Sequence, residues 1–134
     1  MASILKVDAM QGVTSAGDIT VTDGAATFNM QSGLNKMWIS YDGINNSVFA
    51  SLNVGSVTDV ATGQYRYNFS NNFSAQEEYS NAMSVVLQSS ANPGSYTDDE
   101  DQLTSSIQIR PSRTTSGGNI DCSNTTMNCC GDLA

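Results

Sequence analysis

The 134-residue chain contains no histidine. That removes the commonest general base and the commonest metal ligand. Positive charge is scarce: five Lys and Arg stand against thirteen Asp and Glu, for a net charge of -8. So few cations cannot neutralise a run of phosphates, and they offer no grip on an anionic membrane surface. Charged residues of both signs reach only 13%, about half the usual share. Cysteine is limited to Cys122, Cys129 and Cys130. An odd number gathered at one end is not the framework of a small disulfide-built domain. Free thiols, a Cys122–Cys129 bridge and a metal cluster completed by Asp121 or Asp132 all remain open, although the spacing matches no familiar zinc site. No apolar run approaches the ~18 residues of a membrane-spanning helix. Met1 to Met10 alternates apolar and polar residues without the long apolar stretch of a secretory signal, so the expectation is synthesis in a cytoplasm without Sec export.

What the chain has in abundance is small polar residues: Ser, Thr, Asn and Gly supply 55 positions. These suit turns and solvated sheet faces. Apolar residues make up 39%, enough for one core at a length that buries roughly two-thirds of the unfolded surface. Period-2 alternation is the dominant pattern. Tyr65, Tyr67 and Phe69 share one face while Arg66, Asn68 and Ser70 share the other. Val48, Ala50, Leu52 and Val54 form a second stripe, Met83, Val85 and Leu87 a third, and Leu103, Ser105, Ile107 and Ile109 a fourth. Met127 and Cys129 continue the pattern near the end of the chain. Turn signals fall between these stripes at Asp42-Gly43, Thr62-Gly63 and Ser116-Gly117-Gly118-Asn119. Only Ser74 to Ala82 suits a short helical turn, and Pro93 with the acidic run reads as a long surface loop carrying Tyr96. Recurrent strands with hairpin turns and no helical crossovers predict an all-β fold, an antiparallel β-sandwich of jelly-roll-like form.

The predicted division is a short extended segment over 1–30, for anchoring or oligomerisation, and a sandwich domain over 31–134. In the first, Ile4-Leu5-Lys6-Val7 is a short apolar strand. Residues 11–24 carry too little apolar surface to be buried alone, so pairing with the body or with other copies is expected. Strand 35–41 bears apolar groups on both faces, with Trp38 opposite Met37, Ile39 and Tyr41. A central strand and a subunit interface each account for that.

Catalytic patterns are missing. There is no G-x-S-x-G elbow and no phosphate-cradling glycine loop. Asp98-Asp99-Glu100-Asp101 is rich in hard oxygen ligands but lacks the spacing of a calcium loop, and a solvated loop accounts for it equally. Glu77-Glu78 are adjacent, whereas paired catalytic carboxylates face each other across a cleft. The aromatics Trp38, Tyr41, Tyr65 and Tyr96 suit either core packing or stacking on sugar rings, and Tyr96 is the one placed in a loop.

Several segments, in order, resemble small structural proteins of tailed bacteriophages, marine ones especially. Met1-Ala2-Ser3-Ile4-Leu5-Lys6-Val7-Asp8 and Gln11-Gly12-Val13-Thr14 resemble the usual opening of that family. Gln31-Ser32-Gly33-Leu34-Asn35-Lys36-Met37-Trp38 resembles its Q-x-G-L-x-K-x-W strand. Ser51-Leu52-Asn53-Val54, Ser56-Val57-Thr58-Asp59 and Thr62-Gly63-Gln64-Tyr65 through Phe69 resemble the next hairpin, and Gly131-Asp132-Leu133-Ala134 the ending. The polar, thiol-rich Thr125–Cys130 strand and the Asp98–Asp101 loop depart from the pattern.

The resemblance implies a non-enzymatic virion protein, made in the host cytoplasm and trimerising through a β-sandwich body into a tail fibre, head fibre or capsid decoration. It implies no catalytic residue and no cofactor. Partners expected on this basis are two further copies, other capsid or tail proteins and a host surface glycan, with no nucleic acid and no membrane insertion. Ile4, Leu5, Val7 and Trp38 are the candidate interface residues, and Tyr96 is the candidate ligand contact. A carbohydrate-binding or adhesion module is the alternative function.

Overall fold

The computed structural model describes residues 9, 19–23, 25–29, 34–86, 93–96, 102–113 and 118–134. The chain divides into two units, Met1–Leu34 and Asn35–Ala134. In the first, β1 (Thr20–Asp23) and β2 (Ala26–Asn29) pair antiparallel, with Thr20 opposite Asn29 and Asp23 opposite Ala26. For Thr20–Asp23, within the stretch expected to pair with the body or with other copies, a turn at Ala25 supplies a local partner in Ala26–Asn29. The candidate interface residues Ile4, Leu5 and Val7 lie outside the described residues.

The second unit is all-β. One sheet has the order β4 (Ser47–Leu52), β3 (Asn35–Asp42), β11 (Asn124–Gly131), β7 (Tyr79–Val86). The other has the order β5 (Val54–Ala61), β6 (Gln64–Phe69), β10 (Ser106–Arg113), β8 (Pro93–Tyr96), with β9 (Gln102–Leu103) also on β10. Every pairing is antiparallel. The only helical piece among the described residues is a single 3₁₀ turn, Gln76–Glu78.

Alternation explains why the two sheets lie face to face. Met37, Ile39 and Tyr41 on β3, Met127 and Cys129 on β11 and Tyr79 on β7 point inward from one sheet. Tyr65, Tyr67 and Phe69 on β6 and Ile107 and Ile109 on β10 meet them from the other, in one buried cluster. Each such side chain adds about 1.5–3 kcal/mol when taken out of water. The rings lock edge to face: Tyr41 lies 5.1 Å from Tyr65 and 6.0 Å from Tyr67. Phe73 stacks on Tyr79 at 4.2 Å and meets Phe69 edge-on at 5.1 Å. Such pairs favour offset or T-shaped contact because ring faces are negative and edges positive.

Three local expectations are corrected. The stripe Val48–Val54 is not one strand: Asn53 adopts φ 57°, and the chain there leaves the edge of one sheet for the edge of the other. Asparagine tolerates this left-handed geometry. Its side chain also clamps Asn71, accepting from the Asn71 N–H at 2.7 Å and donating to the Asn71 carbonyl at 3.0 Å. The stripe Leu103–Ile109 is interrupted by a turn at Thr104–Ser105, so Ile107 and Ile109 are buried while Leu103 is exposed. Pro93–Tyr96, expected as loop, is strand β8, with Tyr96 opposite Arg110. Proline is tolerated there because it opens an edge strand.

Candidate functional site

The densest polar cluster among the described residues sits at one end of the second unit. There the β3–β4 turn, the β5–β6 turn and the approach to β11 meet. The Asp42 Oδ1 accepts the N–H groups of Ile44 and Asn45 at 2.9 and 3.0 Å, and its Oδ2 accepts the Asn45 amide at 2.7 Å. This is the side-chain-to-backbone mimicry that makes aspartate a turn former. These bonds, the Asn45 side chain first, hold the Asp42 carboxyl below its ordinary range. Asn46 follows with φ 54°. It accepts the Tyr41 hydroxyl and reaches Asp59 at 3.4 Å.

Asp121 ties the other turn down, its Oδ1 accepting the Gly63 N–H and the Tyr65 hydroxyl, each at 2.7 Å. The Gly43 N–H donates to the Cys122 carbonyl at 2.9 Å. A Cβ at Gly43 would lie 2.2 Å from the Tyr65 hydroxyl oxygen, so the ring end fits only because residue 43 has no side chain.

This cluster is built to close turns. Burial, then the neighbouring carboxylates of Asp59, Asp121 and Asp42, raise the Tyr41 phenol. Burial and the bond to Asp121 raise Tyr65 further. A phenol held protonated is neither base nor nucleophile near neutral pH. The carboxylates of Asp42 and Asp121 already accept donors from the chain. Among the described residues no three His, Cys, Asp or Glu come together to hold a metal ion.

The thiols are unpaired. Cys122 and Cys129 are buried and Cys130 is half-buried, so the Cys122–Cys129 bridge does not form. Burial pushes Cys122 up to about 11 and Cys129 up to about 12. Reactive cysteines are tuned the other way. Iodoacetamide should therefore label Cys130 first, and Cys122 and Cys129 only as the protein unfolds, read by mass spectrometry of the alkylated chain. The same burial predicts alkaline lability. Tyr65, Tyr67 and Tyr79 are raised from 10.0 and the two thiols from 9.0. Above those ordinary values the folded chain keeps protons that the unfolded chain releases, so stability falls as pH rises. The urea midpoint should be insensitive to these groups up to about pH 9 and fall beyond it. An unchanged midpoint to well above that pH would contradict the burial described here.

Other candidates resolve individually. Tyr41 and Tyr65 are in the core, which removes them as sugar-stacking residues. Trp38 is on the outer face of β3 with 37% of its surface exposed. Tyr96 stands at the end of β8 instead of in a loop. Asp98–Asp101 lie outside the described residues. Glu77 and Glu78 form the 3₁₀ turn, where Glu78 accepts the Ser74 hydroxyl at 3.0 Å.

The sequence did not single out Phe49, which is 60% exposed. A bulge opposite Ser40 and Tyr41 sets it between the partners Ala50 and Val48, and bulges commonly re-aim a side chain. Among the described residues no helix is long and apolar enough to cross a membrane. No protein-family model, no curated protein and no solved structure matches the chain.

Proposed function

We propose that the chain is a non-enzymatic structural protein of a phage virion, assembled as a homotrimer in a surface appendage or capsid decoration. The observation that carries this reading is the collinear resemblance of residues 1–8, 11–14, 31–38, 51–54, 56–59, 62–69 and 131–134 to that class. Two further facts support it. The chain has no histidine, and the buried thiols and phenols are held protonated, which suits a scaffold better than a reaction centre. A carbohydrate-binding module is the weaker reading, since Tyr41 and Tyr65 are committed to the core.

The test is mass spectrometry of purified virions followed by cryo-EM of the labelled particle. The expected result is the chain in the particle at symmetry-related positions, three copies to each. Its presence in infected cells and absence from washed particles would overturn the proposal.

A further inference from the structure

The four-stranded sheet of β4, β3, β11 and β7 is almost free of charge. Its strands carry only Lys36 and Asp42, one charge of each sign, near the two ends of β3 and on the same outer side as Trp38 and Ser40. The pairing register lays out the outer face in rows. Leu52, Trp38, Asn128 and Ala82 form one, and Ala50, Ser40, Thr126 and Ser84 form the next. The outward side of the second sheet is different, with Arg66 and Arg110 on its strands.

Three polar groups on this face already have partners within it. Ser40 donates to the Asn124 Oδ1 at 3.2 Å, and Asn128 and Cys130 both reach the Asn35 Oδ1, at 3.3 and 3.1 Å. Covering them therefore leaves few unmet hydrogen bonds, which is the usual penalty for dehydrating a polar surface. At the β4 edge Leu52, beside Trp38 on this face, is 47% exposed, and Val48 and Phe49, at the bulge, are 45% and 60% exposed. β4 is also terminal in its sheet, and an edge strand without charge or proline invites pairing.

We infer that this face and its β4 edge form the surface through which copies of this chain associate. The occupant is a second copy because of charge. On a chain of net charge -8, two copies repel wherever carboxylates face each other, and this sheet is where they can meet without that cost. A basic partner, which the net charge would attract, finds nothing to hold here. Size decides which parts are needed. Strands ~4.8 Å apart and six to eight residues long give a footprint on the order of 400 Å². A stable interface takes about 800 Å² per partner, about twice that footprint, so the contact must extend beyond the sheet face, with the Phe49–Leu52 edge as its apolar continuation. Phe49 then acts as the aromatic anchor of the contact at that edge. This inference deepens the homotrimer reading and rests on its self-association alone.

The experiment is native mass spectrometry with sedimentation on the full chain and three variants. Thr126→Arg puts a charge in the middle of the face, Phe49→Asp removes the anchor, and Ser56→Arg charges the opposite sheet as a control. Tyrosine circular dichroism checks that each variant remains folded. The expected result is an oligomeric wild type, association weakened about tenfold or more in the first two variants, and a control like the wild type. A monomeric wild type overturns the surface, as does an oligomer that survives both Thr126→Arg and Phe49→Asp. Equal disruption by the control also overturns it. None of these failures touches whether the chain is in the virion, which particle composition decides. A dimer would support this surface while removing the trimer.

Discussion

Gly63→Ala should lower the stability of the full chain by about 2–5 kcal/mol, read as a fall in the urea midpoint. Two effects add at this position. The backbone is left-handed, φ 60°, which costs an L-residue with a side chain about 1–2 kcal/mol. The new methyl would also lie 2.3 Å from the Ile120 nitrogen and 2.6 Å from its carbonyl oxygen. Those atoms are main chain and cannot rotate aside. Ile120 is held by its own bond to the Pro111 carbonyl at 3.0 Å, and Gly63 by its bond to Asp121 at 2.7 Å. Relief of the clash must therefore break one of the two ties that fix the β5–β6 turn against the approach to β11. Gly118→Ala is the control, because nothing lies within 4 Å of a Cβ there. It should change stability by less than about 1 kcal/mol, and in the stabilising direction if the backbone suits alanine. Similar losses at both glycines would mean that the close approach at Ile120 is absent.

Gly63 also illustrates what is legible in this sequence. Thr62-Gly63 announces a turn before Gln64–Phe69, because glycine between two alternating runs has a known local cause. The strands β6 and β11 are legible for the same reason, since each carries an inside–outside alternation. What sits on the far side of the turn is not legible. Asp121, the residue that captures both Gly63 and Tyr65, is 58 positions away, and no local pattern marks it. Nor does alternation tell which sheet a strand joins. β4 and β5 read as one continuous stripe, yet a single left-handed asparagine sends them to different sheets.

Exposure is harder still. Phe49 lies in an alternating run that argues for a regular strand, yet it sits at a bulge against β3 and is exposed. The missing charge in β7 and β11 is plainly visible in the sequence. Its significance appears only when pairing places those strands beside β3 and β4, joining them into one face whose only charges are Lys36 and Asp42 of β3. Thus the candidate interface residue Trp38 could be picked from its neighbours alone, while the surface that surrounds it depends on long-range pairing.

The pair Tyr67→Ala and Tyr67→Phe should separate packing from hydrogen bonding at the centre of the core. Tyr67 is fully buried, set between Val57 and Ile107 in its sheet and facing Tyr41 and Thr125 across the interior. Truncation to alanine removes a whole ring from a site walled by two sheets that cannot both collapse. The expected loss is about 3–5 kcal/mol. Phenylalanine keeps the ring and deletes only the hydroxyl, which shares a 2.7 Å hydrogen bond with Thr125. The Thr125 hydroxyl retains its bond to the Tyr41 carbonyl at 3.3 Å, so no buried donor is left without an acceptor. That loss should be about 1 kcal/mol. The two variants should also part at high pH. Tyr67→Phe removes one of the phenols that burial holds protonated, so its stability should decline less steeply above about pH 10 than that of the wild type. Equal losses for the two substitutions would mean that the hydroxyl, and not the ring between the sheets, holds this part of the core together.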